Sequence, residues 1–244
     1  MSSALLEIDG LTKRFGGVTA VDGCSFSVPA GTVTALVGPN GSGKTTAFNL
    51  ITGYMRPDAG RIRFAGASVS RPDPTRLARR GLTRTFQQAR IFPDLTLVQN
   101  MVAALQQPWH ALLRRAVRSH EQARALELLE EFGLARLSEE RAGNLSYGQK
   151  KLLEFAAVLM ADPQLVLLDE PTAGVNPVLV EQIERRIREL NERGLTFLVV
   201  EHNMNLVMRL CDPIVVLDHG TKLAEGPPTA VRNDPRVLDA YLGG

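Results

Sequence analysis

The sequence predicts an α/β fold in which a buried, largely parallel sheet carries a phosphate loop. An antiparallel β-rich stretch precedes it and a helical segment is inserted within it. Three observations carry this. Gly38-Pro39-Asn40-Gly41-Ser42-Gly43-Lys44-Thr45 reads G-x-x-x-x-G-K-T and lies between an apolar run and a helical pattern. Leu165-Val166-Leu167-Leu168 is a continuous apolar run suited to a central parallel strand, and it ends in Asp169-Glu170. Between them, residues 95–161 have the apolar spacing of helices rather than strands.

The elements follow in chain order. Residues 5–37 are β-rich, and Cys24, Phe26 and Val28 alternate with Ser25 and Ser27 as in a half-buried antiparallel strand. Lys13-Arg14-Phe15-Gly16-Gly17 is expected in a loop between strands. Thr32 to Val37 is a buried strand, and Thr45 to Ile51 a helix stopped by Gly53. Arg61 to Gly66 alternates again, and Pro72-Asp73-Pro74 breaks the chain before a basic helical stretch, Thr75 to Arg80.

In the helical segment, Ala125, Leu128, Leu129 and Phe132 share one face, with Gly133 as a stop, and Leu152, Phe155, Ala156 and Leu159 make a second stripe. Pro108-Trp109-His110 reads as a loop, and Arg114, Arg115 and Arg118 as a solvated basic face. Asn176 caps a helix that starts at Pro177 and buries Val180, Ile183, Ile187 and Leu190. Thr196 to Val200 is a strand with Glu201 and His202 at its end, and Asn203 to Leu210 is helical. Ile214 to Leu217 and Lys222 to Glu225 are strands joined by His219-Gly220, and Pro235 to Leu242 is a short helix.

Bulk properties bound the function. At 244 residues the chain is long enough for one large domain or two small ones. A formal net charge of +2 gives no argument for a nucleic-acid partner, and none is expected. Cys24 and Cys211, the only cysteines, have no metal-type spacing and read as reduced buried thiols. The N-terminus lacks a secretory pattern and no apolar run approaches membrane-spanning length, so the cytosol is favoured.

The chemistry is concentrated in a few places. Glycines let backbone N–H groups converge on an anion, and the helix N-terminus adds positive potential. Lys44 is placed to reach the β- and γ-phosphates, and Thr45 to face Mg²⁺. The rival is an ordinary glycine-rich turn. An aspartate after a buried strand, Asp169, can hold Mg²⁺ through water, and Glu170 can orient and deprotonate an attacking water. The rival there is a solvated acidic pair at a strand end. Leu145-Ser146-Tyr147-Gly148-Gln149 carries a capping box in Ser146 and Gln149, which by itself needs no function beyond starting a helix.

In that order and spacing these motifs resemble the ATP-binding cassette (ABC) ATPases, over the whole chain. Leu145 to Gln149 is similar to their L-S-G-G-Q signature, with Tyr147 in place of the first glycine. The resemblance implies an α/β P-loop NTPase (ABC ATPase) core with an antiparallel β subdomain and an inserted helical subdomain. It makes residues 1–244 one nucleotide-binding domain, in which 1–94 hold the β subdomain and the first part of the core, 95–162 the helices, and 163–244 the rest.

It implies that ATP and Mg²⁺ are bound by Gly38, Pro39, Asn40, Gly41, Ser42, Gly43, Lys44, Thr45, Thr46, Gln87 and Asp169. Thr45, Gln87 and Asp169 would face the metal, and Gln88 is the adjacent alternative to Gln87. Ser146, Gly148 and Gln149 would meet the ATP of a partner subunit, and Phe15 would stack on adenine, unless it is only a strand-edge aromatic. Glu170 with His202 and Lys44 would be catalytic. Asn176 stands where most relatives have aspartate, so a charge-dependent role of that loop is not implied.

Leu145-Ser146-Tyr147-Gly148-Gln149, Ala173-Gly174-Val175-Asn176-Pro177 and the ending 233–244 look most like the ATP-binding subunits of branched-chain amino acid importers. Urea or amide importers, lipid or lipopolysaccharide exporters, and soluble cassettes of DNA repair or translation are the alternatives. The implied partners are integral membrane permease subunits, a second ATP-binding subunit and, indirectly, a periplasmic or extracellular substrate-binding protein. The implied place is peripheral, on the cytoplasmic face of the plasma membrane. A groove around Gln87, Ile91, Phe92 and Leu97 is where a permease helix would dock; core packing explains the apolar three equally well.

Overall fold

The structure, a computed structural model, describes residues 3–70, 72–85, 91–105 and 115–242 and, of residues 115–118 and 242, the backbone alone. Gln87, Gln88, Pro108-Trp109-His110 and Arg114 lie outside the described residues, as do the side chains of Arg115 and Arg118.

Two sheets divide the β content. The first is antiparallel, built from β1 (Ala4–Phe15), β2 (Val18–Pro29), β4 (Ala59–Phe64) and β5 (Ala67–Ser68) in the order β2-β1-β4-β5. The second contains β3 (Val33–Val37), β6 (Leu82–Arg84), β7 (Leu165–Asp169), β8 (Thr196–Val200), β9 (Ile214–Asp218) and β10 (Thr221–Gly226). Its order is β10-β9-β3-β8-β7-β6, parallel except for the β9–β10 pair. The helices are α1 (Lys44–Ile51), α2 (Pro74–Arg79), α3 (Leu97–Ala104), α4 (Arg115–Glu131), α5 (Tyr147–Leu159), α6 (Pro177–Glu192), α7 (Met204–Leu210), α8 (Pro228–Arg232) and α9 (Pro235–Leu242).

The continuous apolar runs are central strands because both faces of the parallel sheet are covered. Val166 and Leu168 pack with the helices of the 95–160 segment, whereas Leu165 and Leu167 pack with α1 and the antiparallel sheet. On the first side Phe155 links the layers, meeting Phe132 of the α4 end at 5.2 Å and Phe197 of β8 at 6.3 Å, both edge to face. Helices α3 to α5 therefore enter between β6 and β7 as an insertion, as the change of periodicity predicts.

Three expectations are corrected, and for Leu97 one of two open alternatives is decided. Lys13, Arg14 and Phe15 belong to β1, and only Gly16-Gly17 make the turn, because β1 and β2 stay paired through Phe15 and Val18. Asn203 is the N-cap of α7 rather than part of it. On α6 the buried residue of the first turn is Leu179, not Val180, since the stripe Leu179, Ile183, Ile187, Leu190 keeps helical spacing better. Leu97 is fully buried and belongs to the core, not to a docking groove.

Burial pushes the Cys24 and Cys211 thiols up to about 11 and about 12, so both stay protonated and inert, as their spacing suggests. Among the described residues no helix is long and apolar enough to cross a membrane.

Candidate active site

Sheet order brings the predicted residues together. Strands β3, β8 and β7 are neighbours, and the phosphate loop, Glu201-His202 and Asp169-Glu170 follow their C-terminal ends. That edge is where parallel sheets bind ligands.

The loop between β3 and α1 is glycine for steric reasons. A Cβ on Gly38 would lie 2.1 Å from Leu217 O, and one on Gly43 would lie 2.3 Å from Ala20 O. Gly43 is also the N-cap of α1, at φ 96°, and supplies no side-chain acceptor. The first amides of α1 are thus left for an anion. Lys44 is buried, and its Nζ donates to Gly38 O and Pro39 O, both at 2.8 Å, and to Ser42 Oγ at 3.4 Å. Burial lowers its pKa, and the negative charge of Glu170 opposes that shift. The loop is braced from the β9–β10 turn, where Gly220 N donates to Ser42 O at 3.1 Å. It is also touched from α9: burial raises the Tyr241 pKa, and a hydrogen bond from the Gly38 backbone opposes the rise.

Asp169 ends β7. Its Oδ2 accepts from Arg84 at 2.6 Å, and its backbone N donates to Thr85 Oγ1 at 3.3 Å. Glu170 follows in the left-handed region at φ 47°, unusual for a side-chain-bearing residue, and is held there by its N–H bond to Val200 O at 2.9 Å. That turn aims its side chain at the neighbouring strand end, where Oε1 lies 2.8 Å from His202 Nε2. A carboxylate with imidazole at hydrogen-bond distance, beside a buried ammonium, can orient water and stabilise developing negative charge.

Glu201 was not singled out by the sequence. It is buried at 4% exposure, and its Oε1 accepts from Thr172 N at 2.9 Å and Thr172 Oγ1 at 2.5 Å. Its Oε2 accepts from His202 N at 3.0 Å and Asn203 N at 3.3 Å. One carboxylate thereby fixes the loop after Glu170 to the backbone of His202. A charged residue closing an apolar strand was the available signal.

Ser146 caps α5 with both halves of the capping box: Gln149 N donates to Ser146 Oγ at 3.3 Å, and Ser146 N donates to Gln149 Oε1 at 2.9 Å. The cap uses a hydroxyl lone pair and leaves the O–H as a donor. Gly148 faces α6, and a Cβ there would lie 2.5 Å from Leu179 Cδ2. Tyr147, the departure from two glycines, donates its OH to Ala173 O at 3.4 Å, and its ring packs beside Gly174. Asn176 caps α6, its Oδ1 accepting from Leu179 N at 2.9 Å. Ser146, Gly148, Gln149 and Asn176 line a depression distinct from the one lined by Glu170, Glu201 and His202. Phe15 is 46% exposed at the end of β1, with Lys13 Nζ 5.6 Å from its ring centre.

Among the described residues there is no cluster of three or more His, Cys, Asp or Glu that could hold a metal. The Thr45 hydroxyl and Asp169 carboxylate are hard oxygen donors, few in number. That set fits Mg²⁺, which keeps its waters and shares substrate phosphates.

Beside this edge lies a mainly apolar cavity of about 420 Å³, with Thr52, Tyr54, Arg84, Ile91 and Phe92 among its lining residues. Ile91 and Phe92 therefore line a groove, while Leu97 does not.

Comparisons with known proteins place the chain in a family. Residues 21–173 match the ABC transporter family, and 221–244 match the branched-chain amino acid ATP-binding cassette transporter family. The chain is 39% identical to the high-affinity branched-chain amino acid transport ATP-binding protein BraF of Pseudomonas aeruginosa, covering 100% of this chain and 99% of that one. It is 38% identical to LivG, of the same description, from Escherichia coli, again over 100% and 99%. A crystal structure of a nucleotide-free ATP-binding cassette from an ABC transporter superposes with a TM-score of 0.89 at 34% identity, covering 99% of this chain and 100% of that one. An ABC transporter cassette in its ADP conformation gives 0.88 at 34%, covering 100% of both.

Proposed function

The chain belongs to the ABC transporter family, and from that membership we propose that it is the ATP-binding and ATP-hydrolysing subunit of an importer of branched-chain amino acids. The pairing of Glu170 with His202, beside Lys44 and the glycine-walled loop, carries the reading. The substrate class rests on full-length similarity to branched-chain amino acid subunits and on the match over 221–244.

ATP lies with its phosphates on the N-terminus of α1 and its adenine on Phe15. Lys44 exchanges its loop carbonyls for phosphate oxygens. Thr45, Gln87 and, through water, Asp169 would hold Mg²⁺, which would supply charge neutralisation on the phosphates. Glu170 orients a water and takes its proton, and His202 holds Glu170 and the γ-phosphate in register. Ser146 and Gly148, outside this pocket, serve the ATP of a second cassette chain when two close face to face. Closure excludes water and strengthens each contact with the phosphates.

The chain is one nucleotide-binding domain with the boundaries set out above, 1–94, 95–162 and 163–244. The groove beside Arg84 receives a helix of an integral membrane permease. The chain thus sits peripherally on the cytoplasmic face of the membrane, with a substrate-binding protein acting on the far side.

Uptake of labelled leucine by cells carrying the complex, compared with urea and with lipid export, tests the substrate. Leucine uptake lost in Glu170→Gln and retained in wild type is the expected result. Transport of urea or lipid instead moves the reading to the related transporters. Failure to copurify with any integral membrane protein overturns transport altogether.

A further inference from the structure

Arg84 closes β6 and is 9% exposed, yet it takes no part in the chemistry assigned to Lys44, Glu170 and His202. Its guanidinium is shared between two elements. One nitrogen donates to Asp169 Oδ2 at 2.6 Å. Another donates to Asn49 Oδ1 at 2.6 Å and Thr52 Oγ1 at 3.2 Å, at the C-terminal end of the helix that begins with Lys44. Its Cζ lies 5.3 Å from the Phe48 ring centre and 5.7 Å from that of Tyr54. Only the planar fork of arginine can bond three acceptors and stack on rings at once.

The same residue also lines the apolar groove, together with Thr52 and Tyr54, two of the groups that hold it. Arg84 therefore borders the groove while its guanidinium holds the carboxylate assigned to Mg²⁺. A pair this buried moves as a unit, because separating it would leave an uncompensated charge. A displacement of Tyr54 or Thr52 thus reaches Asp169 without passing through solvent.

We infer that Arg84 is a positioning residue for Asp169, and that occupation of the groove by a permease helix acts on the nucleotide site through it. This rests on the groove and Mg²⁺ assignments of the proposed function. A shift of an ångström in a charged group at such a site can change rate about 10²-fold, so the link is large enough to regulate.

Arg84→Lys keeps the charge but loses the fork and is the informative variant; Arg84→Met removes the charge, and thermal unfolding reports whether it folds. Binding of a fluorescent ATP analogue to the purified chain, with and without Mg²⁺, is measured beside ATPase stimulation in the complete complex. For Arg84→Lys we expect Mg²⁺-free binding within about twofold of wild type, and a Mg²⁺ requirement raised about tenfold. Stimulation by the membrane subunits should fall about fivefold or more while the complex still copurifies. An unchanged Mg²⁺ requirement, or equal loss of binding with and without Mg²⁺, overturns the positioning role. A raised Mg²⁺ requirement with wild-type stimulation overturns transmission from the groove. In parallel, Phe92→Asp that still assembles and is still stimulated removes the groove reading itself, and the Mg²⁺ measurement then decides the role of Arg84 alone.

Discussion

The N-termini of α1 and α5 both point at a proposed phosphate, and they are finished differently. Helix α1 begins at Gly43, with no side-chain cap, and carries a buried Lys44 among its loop carbonyls. Helix α5 begins at Ser146 with a complete capping box and an exposed Tyr147. The first end leaves its amides unsatisfied by side chains, so it is suited to an anion held tightly within one chain. The second is stable without an anion and offers only an extra donor. The difference teaches that the two ends are suited to different partners: under the proposed function, the first would be completed by ATP alone and the second by ATP that arrives with a second chain.

The largest effect that bears on this comparison is expected at the α1 side. Glu170→Gln should lower hydrolysis by about 10²- to 10⁴-fold while nucleotide is still bound, as measured by single turnover and filter binding. Near-normal turnover would remove Glu170 from the chemistry. Next comes Ser146, where two substitutions separate the cap from the phosphate contact. Ser146→Ala should cost about 1 kcal/mol in denaturant unfolding. It should slow hydrolysis by about 10²-fold, with binding of ATP by the isolated chain unchanged. Ser146→Asp keeps a cap acceptor and so recovers stability, but sets a charge against the anion, so hydrolysis stays low. If Asp restores both, α5 is only a well-capped helix.

A smaller effect is expected for Gly148→Ala. Its Cβ would meet the far end of Leu179, 2.5 Å away, and that flexible side chain can give. Unfolding should cost about 1–2 kcal/mol, and in a double-mutant cycle that increment should shrink in a Leu179→Ala background, although Leu179→Ala itself costs core packing. The smallest is a pH effect away from both ends. Hydrogen bonds from Arg209, at 2.7 Å, and then Arg188 hold the Glu184 carboxyl below its usual pKa. A carboxyl lowered in the folded state adds stability above its unfolded pKa and loses it as pH falls through the folded value. Glu184→Gln should therefore lower Tm near neutral pH, and the difference from wild type should vanish once acid has protonated Glu184.

What the sequence made legible follows from how local each signal is. The phosphate loop, the caps at Ser146 and Asn176 and the buried strands are written in consecutive residues, and the structure forms them there. The pairing of Glu170 with His202 could be anticipated only because both end central strands; that β7 and β8 are adjacent is a property of the sheet. Arg84 and Glu201 were missed for the opposite reason. A single charge at the end of a short strand, such as Arg84 after Leu82-Thr83 or Glu201 after Phe197 to Val200, looks like a solvated strand end. Arg84 becomes buried through acceptors as far as 85 residues away, which no window of sequence contains. Phe15 misled in a smaller way: Gly16-Gly17 suggested a loop, but strand pairing persisted up to the glycines.

The grip of Lys44 on its own loop sets a threshold for what may enter it. Its ammonium already rests on Gly38 O and Pro39 O at 2.8 Å, so any incoming anion competes with two aligned carbonyl dipoles. Chloride or a single inorganic phosphate gains little by displacing them, because neither also spans the amides of α1 and the metal. A polyphosphate chain bound as proposed would engage all three at once, and its contacts would reinforce one another as if each raised the local concentration of the next. On the proposed site assignment, the loop would therefore favour a polyphosphate chain over small anions by competition from within, before any part of the adenine is read.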